Sequence, residues 1–307
     1  MIINADALEG LKTIESESID TCVTSPPYYQ LRDYNSEGQI GLESTIEEYI
    51  SKLVTVFAEV KRVLKPYGTL WLNIADTYAD SKKYGIPKKN LLLIPHRLAL
   101  ALQADGWYIR QDIIWHKTNC MPESANDRCT KAHEYIFLLS KSDKYYFDYK
   151  SIMEPCVCNN NQLPAGSKGT LGQPNSRQRV KGNNKTFRGG GVYTGNRAFN
   201  NSADKNKSSI GNKVNETGLR RKRDVWHIAS KGYKGAHLAT FPTELARNCI
   251  LAGSRKGGIV IDPFGGSGTV GEVAKELGRD YILIDINKDY CELMKRRLKK
   301  CGGTNEI

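Results

Sequence analysis

GIVIDPFGGSGTVGEVAKELGRDYILIDINKDY, residues 258–290, is the stretch that decides the fold. Strand-forming residues Ile259 to Asp262 run into a turn that holds Gly265, Gly266 and Gly268. Thr269 to Leu277 then has helical character, Gly278 ends it, and YILIDIN reads as the next strand. Glycines at a strand-to-helix turn let backbone approach a ligand closely, at the sheet edge where nucleosides dock. Asp285 follows Gly268 by 17 positions and ends the second strand, placed to accept hydrogen bonds from both hydroxyls of a ribose. Asp262 and Phe264 precede the glycines, unlike the dinucleotide fingerprint, and no Gly-Lys-Ser/Thr completes a nucleotide phosphate loop. The bland alternative is a turn that merely redirects the chain, and the ordered succession of strand, turn, helix, strand and acid weighs against it.

A second unusual stretch lies near the other end of the chain, IDTCVTSPPYYQ at residues 19–30. A strand pattern meets two prolines, which cannot continue a ladder and which force the preceding residue into an extended conformation. The sheet therefore ends at Ser25, and a stiff turn presents Ser25, Pro26, Pro27, Tyr28 and Tyr29 at its edge. Between the two stretches, residues 1–150 alternate strand and helix patterns. MIINADA is a short strand, and the apolar spacing of Ile46, Ile50, Leu53, Val54, Phe57, Val60 and Leu64 predicts a helix. Ser44 with Glu47, or Thr45 with Glu48, caps that helix, and Pro66 and Gly68 close it. TLWLNIAD is a strand, LLLIPHRLALALQADG a helix, and WYIRQDIIWHK and EYIFLLSK two further strands; FPTELARNCILAGSRKGG is a helix in residues 224–307. Alternation of this kind predicts an α/β fold with a mostly parallel central sheet.

Residues 151–223 break the rhythm. They contain 10 Gly and 12 Asn, few aliphatics, and fourteen basic against three acidic residues, nearly all of the chain's net charge of +12. Phe187, Tyr193, Phe199 and, just beyond, Trp226 are interleaved with the cations. A solvated linker would explain the charge alone; rings among cations fit nucleic acid better, because they stack on bases while the charge follows phosphates. Parts of such a segment are expected to become ordered only with a partner. The division is therefore 1–150, 151–223 and 224–307.

The 307 residues leave ample length for a core. Eight cysteines with no CxxC pair suggest a reducing compartment and no metal site, and no apolar run of membrane-span length occurs. A cytoplasmic protein is expected.

Asp-Pro-Phe-Gly-Gly-Ser-Gly-Thr (262–269) and Thr-Ser-Pro-Pro-Tyr-Tyr (24–29) resemble the cofactor and catalytic motifs of S-adenosylmethionine-dependent DNA amino-methyltransferases of the beta group. The order also matches, with the catalytic motif first, a target-recognition region in the middle and the cofactor motif last. Asn4-Ala5-Asp6 and HLATFPTEL (237–245) extend the likeness over nearly the whole chain.

The resemblance implies a Rossmann-like methyltransferase fold with circularly permuted motif order and a basic target-recognition insert. It implies a cofactor site comprising Asp6, Asp262, Phe264, Gly265, Gly266, Gly268, Thr269 and Asp285, with Asn4 and Phe241-Pro242 as further members. It also implies a catalytic turn of Ser25, Pro26, Pro27 and Tyr28. The family reaction methylates an exocyclic amine of a base flipped out of double-stranded DNA. Ser25 Oγ and the Pro26 carbonyl would accept hydrogen bonds from that amine, the Tyr28 ring would stack on the base, and Tyr29 would form a pocket wall. Serine at position 25 goes mainly with cytosine-N4 methylation, with adenine-N6 as the alternative. A restriction-modification or phage/host DNA-protection role follows, with a cognate restriction endonuclease as a possible partner and a monomer or homodimer as the assembly.

Two other readings stand beside this one. RNA or a protein glutamine amide could be the acceptor, since related proline turns serve amide nitrogen; a non-catalytic DNA-binding partner would show damaged motifs, and both motifs here are intact. Arg32 and Asp33 read either as a phosphate contact and its orienting partner or as a salt-bridged loop. His133-Glu134, at the start of a strand, reads as structural; His116, His227 and His237 have no metal-ligand spacing.

Overall fold

A computed structural model of the chain describes residues 1–31, 33, 36–80, 85–155, 218–230 and 241–300. Two compact units emerge, residues 1–152 with 223–307, and residues 153–222. Most of the basic segment, with Arg32, Tyr34 and His237, lies outside the described residues.

In the first unit the strands are β1 (Ile2–Asn4), β2 (Ile19–Thr24), β3 (Leu64–Ile74), β4 (Tyr108–His116), β5 (His133–Ser140), β8 (Val225–His227), β9 (Ile259–Asp262) and β10 (Asp280–Asp285). They form one sheet in the order β1-β10-β9-β2-β3-β5-β4-β8. Every pairing is parallel except those of β5, which runs against both β3 and β4. The helices are α1 (Ala7–Lys12), α2 (Ile46–Val63), α3 (Ile94–Ala104), α4 (Thr243–Gly253), α5 (Thr269–Glu276) and α6 (Lys288–Lys300).

Alternation along the strands builds two apolar layers. Cys22, Leu70, Leu72 and Ile261 pack with Leu53, Phe57 and Val60 of α2 and Leu98 of α3. Val23, Trp71 and Val260 pack on the opposite face with Leu245 and Ile250 of α4, Val273 of α5 and Met294 of α6. These are the two helical layers that the expected α/β fold requires around a mostly parallel sheet.

Local chemistry sets the helix ends. Thr45 caps α2, its Oγ accepting from Glu48 N at 3.1 Å, so the second of the two capping pairs is the one used. The helix ends at Val63, before the Pro66–Gly68 pair, because Leu64 is already extended (φ −67°, ψ 137°). Had the helix continued, the Pro66 ring would meet the Arg62 carbonyl one turn back, so the break falls upstream of the proline. The helix expected from Leu91 starts only at Ile94, since Leu93 adopts a left-handed conformation (φ 57°) and Pro95 occupies the first turn.

In the second unit, β6 (Glu154–Pro155) and β7 (Leu219–Arg220) pair antiparallel, with Arg220 Nε 2.9 Å from Glu154 Oε1.

Candidate active site

Adjacent parallel strands bring the two diagnostic turns together. Cys22 pairs with Ile261 in register, so β2 and β9 end side by side and release the proline turn and the glycine turn at one sheet edge. Asp285, at the end of β10, and Asp6, just beyond β1, emerge at the same edge. Because β5 runs the other way, its first residues, His133 and Glu134, reach this edge as well. The carboxyl edge of a parallel sheet is where ligands bind in such folds.

A cavity of about 370 Å³ opens there, within the range of small-molecule sites. The proline turn contributes Ser25, Pro26, Pro27 and Tyr28 to its wall. The glycine turn and its surroundings contribute Asp262, Phe264, Gly265, Gly266, Thr269 and Asp285, and Asp6 and Phe241 complete that end. Eleven of the twelve residues expected at the site therefore share one cavity. Gly268 does not line it; with φ +79° it caps α5, and a Cβ there would sit 2.9 Å from Met294 Cγ. Asn4 stands behind the wall, its Nδ2 donating to the carbonyls of Asp285 and Ile286 at 3.0 Å each.

The glycine turn is wired to its acids. Gly266 N donates to Asp285 Oδ2 and Asn287 N to Asp285 Oδ1, both at 2.8 Å. Each carboxylate oxygen is thus fixed by one backbone donor and keeps a lone pair for a ligand. Burial raises the Asp285 carboxyl above its ordinary range, partly offset by those two N–H bonds. Gly266 has φ +48°, and an added Cβ would meet nothing nearer than Phe264 O at 3.9 Å. Asp6 caps α1, its Oδ1 accepting from Leu8 N at 2.9 Å. Open backbone at Gly266, flanked by the Phe264 ring and fixed carboxylates, fits a cationic nucleoside.

The proline turn is held from below and from the side. Tyr49 Oη donates to the Pro27 carbonyl at 2.8 Å, while no hydrogen bond among the described residues engages the Pro26 carbonyl. Ser25 Oγ donates to Tyr28 Oη at 3.2 Å, and Tyr28 Oη donates to Glu134 Oε2 at 2.7 Å. Glu134 also accepts from Asn73 Nδ2 at 2.9 Å and is ion-paired with Lys117 through its other oxygen. Desolvation, with the Glu134 charge next in weight, raises the Tyr28 phenol well above its usual range, so the phenol stays neutral and donates. Tyr29 is not a pocket wall. It is 2% exposed and packs on Tyr49, ring centroids 5.2 Å apart.

Glu134, which its sequence context marks only as structural, lines the cavity together with Asn73, Trp115 and Lys117, none of which carries a local motif. A carboxylate in an otherwise apolar buried strand was the available signal for Glu134. His116 and His227 prove to be neighbours, with Nδ1 atoms 2.9 Å apart, but among the described residues no group of three or more His, Cys, Asp or Glu is placed to hold a metal. No described helix is long and apolar enough to cross a membrane.

Comparison with known proteins adds a consistent finding. Residues 19–296 match the family model N6_N4_Mtase, described as DNA methylase. The chain is 41% identical over 318 residues to the Type II methyltransferase M.SmaI of Serratia marcescens, covering 97% of this chain and 90% of that one. Among solved structures, PvuII DNA methyltransferase (cytosine-N4-specific) superposes with a TM-score of 0.64 at 19% identity, covering 100% of this chain and 87% of that one. A putative DNA modification methylase of Thermus thermophilus, complexed with S-adenosyl-L-methionine, gives 0.59 at 22% identity, covering 99% and 94%.

Proposed function

The chain belongs to the N6_N4_Mtase family of DNA methylases, and on that premise we propose that it methylates the exocyclic N4 amine of cytosine in double-stranded DNA. The methyl donor of this DNA methyltransferase is S-adenosyl-L-methionine, which when bound supplies an electrophilic methyl group on a sulfonium. Asp285, Asp6, Phe264 and the backbone of Gly265 and Gly266 would hold it, the carboxylates serving its hydroxyls and positive charge and the ring its base.

Supporting the reading at the acceptor end is the Ser25 hydroxyl, which lines the cavity with its own proton committed to Tyr28. Its lone pairs are left for the N–H groups of an incoming amine, and the Pro26 carbonyl offers a second acceptor on the same rigid turn. An exocyclic amine is a poor nucleophile because its lone pair is conjugated with the ring. Accepting both N–H bonds favours a tetrahedral nitrogen with a localised lone pair, and holding it in line with the methyl carbon supplies much of the acceleration. The nitrogen then bonds to carbon as the carbon–sulfur bond breaks, and the methylated amine sheds one proton to water. Tyr28 lends its ring to the pocket for a base taken out of the stack.

By the family resemblance, serine at position 25 goes mainly with cytosine; adenine N6 presents the same amine chemistry and is the alternative. Residues 151–223 carry the charge to follow a phosphate backbone and the Arg, Lys and Asn side chains to read base edges, so sequence recognition is assigned to them. A cognate restriction endonuclease as partner fits the Type II character of the relative. Action as a monomer or homodimer belongs to the same reading.

Ser25→Ala and Tyr28→Ala test the division of labour. Each should keep S-adenosylmethionine affinity within about twofold while methyl transfer to DNA falls roughly a hundredfold or more. Cofactor binding lost in step with activity would refute it.

A further inference from the structure

From the chain of hydrogen bonds Ser25–Tyr28–Glu134 we infer that Glu134 is a positioning residue that fixes the polarity of the catalytic hydroxyl, keeping Ser25 an acceptor towards the target amine. The inference rests on the reading of Ser25 given above.

A hydroxyl can donate or accept, and nothing in Ser25 itself decides which role it shows the cavity. An ionised carboxylate only accepts. Glu134 is 7% exposed, and its carboxylate is ion-paired with Lys117. It accepts the Tyr28 O–H hydrogen bond at 2.7 Å, so the Tyr28 oxygen has lone pairs alone to offer Ser25. Ser25 meets that oxygen at 3.2 Å by donating its proton, and its lone pairs remain for the cavity. Asn73 Nδ2, also bonded to Glu134 Oε2, holds the carboxylate on its acceptor side. Four residues from three separate segments, the proline turn, β3 and β5, thus act as one oriented relay, anchored at the start of the antiparallel strand.

Reversing the relay distinguishes this role from a merely structural one. In Glu134→Gln the amide NH2 can donate to Tyr28 Oη. Tyr28 is then free to donate to Ser25, and the Ser25 proton can point into the cavity against the N–H groups of the target amine. The test compares binding of two duplexes, one with the amino base at the target position and one with its keto counterpart (uracil for cytosine, hypoxanthine for adenine). The site is first mapped with the wild-type enzyme. Comparing proteins on the same pair of duplexes cancels the difference in flipping cost.

Wild-type protein should prefer the amino base. In Glu134→Gln that preference should shrink or invert by about tenfold or more, the equivalent of one misoriented hydrogen bond, with cofactor affinity unchanged and kcat down roughly a hundredfold. In a Tyr28→Phe background the same substitution should alter the preference no further, because the relay is already cut. An unchanged amino-to-keto preference in Glu134→Gln, or an equal change with and without the Tyr28 hydroxyl, would overturn the inference. The underlying reading fails differently, through a Ser25→Ala variant that methylates DNA normally.

Discussion

Thr24 Oγ1 donates a 2.7 Å hydrogen bond to Asp262 Oδ1, joining the last residue of β2 to the last residue of β9. The same carboxylate oxygen accepts from Phe264 N at 3.0 Å. The proline turn and the glycine turn therefore leave the sheet from one fixed point, and on the proposed function the same contact would set acceptor amine against methyl donor.

Asp262 makes that point sensitive to pH. Burial raises its carboxyl from an ordinary value near 3.8 to about 7, against the Thr24 and Phe264 hydrogen bonds and with the Asp285 charge adding to the rise. Between those values the folded protein holds a proton that the unfolded chain has released. The stability this contributes is complete below about pH 4 and is lost as pH rises towards 7. The full span corresponds to something on the order of 4 kcal/mol. From pH 5 to pH 8 the wild-type melting temperature should fall more than that of Asp262→Asn, which keeps the Asp285 contribution in the same direction and those of His133 and the N-terminal amine, both lowered by burial, in the opposite one. Parallel melting curves for the two proteins would count against a neutral Asp262.

Asp285 should matter first to the cofactor. Asp285→Ala removes the acceptor assigned to the ribose and leaves Gly266 N without its partner. Titration calorimetry with S-adenosylmethionine should show a dissociation constant raised about ten- to a hundredfold. An unchanged constant would remove the ribose assignment.

Gly268 should matter to stability. Its φ of +79° and the 2.9 Å approach of Met294 Cγ to an added Cβ leave no room for a side chain. Gly268→Ala should cost about 1–3 kcal/mol in denaturant unfolding. A neutral Gly268→Ala would mean that Met294 and the turn yield more readily than their packing implies.

Residues 156–217 should be separable from chemistry. Glu154 and Arg220 are cross-strand partners, so the chain leaves and returns at neighbouring positions. Replacing 156–217 by a short glycine-serine linker should preserve cofactor affinity and abolish site-specific methylation of DNA. Retained site specificity would place recognition elsewhere.

Much of this was legible in the sequence, because the glycine turn, the proline turn and their strands are local patterns. Ile259–Asp262 with Gly265 to Gly268 announces a strand-to-helix turn whatever surrounds it, and Ser25-Pro26-Pro27 announces a strand end. The relay was not legible, since Glu134, Asn73 and Lys117 reach Tyr28 only through the pairing of β3, β5 and β4, whose order no local pattern encodes. The three-residue strand β8 beside β4 was missed for the same reason. Tyr28 and Tyr29 could not be told apart by composition; strand-end geometry sends the first to the cavity and the second under α2.

The most direct measurement is to incubate the protein with unmethylated genomic DNA and methyl-labelled S-adenosylmethionine, digest the DNA to nucleosides, and locate the label by chromatography and mass spectrometry. The account predicts label in N4-methylcytosine. Label in N6-methyladenine would contradict the assignment drawn from Ser25 while keeping the amine chemistry, and DNA without label, from protein that binds the cofactor, would contradict the account as a whole.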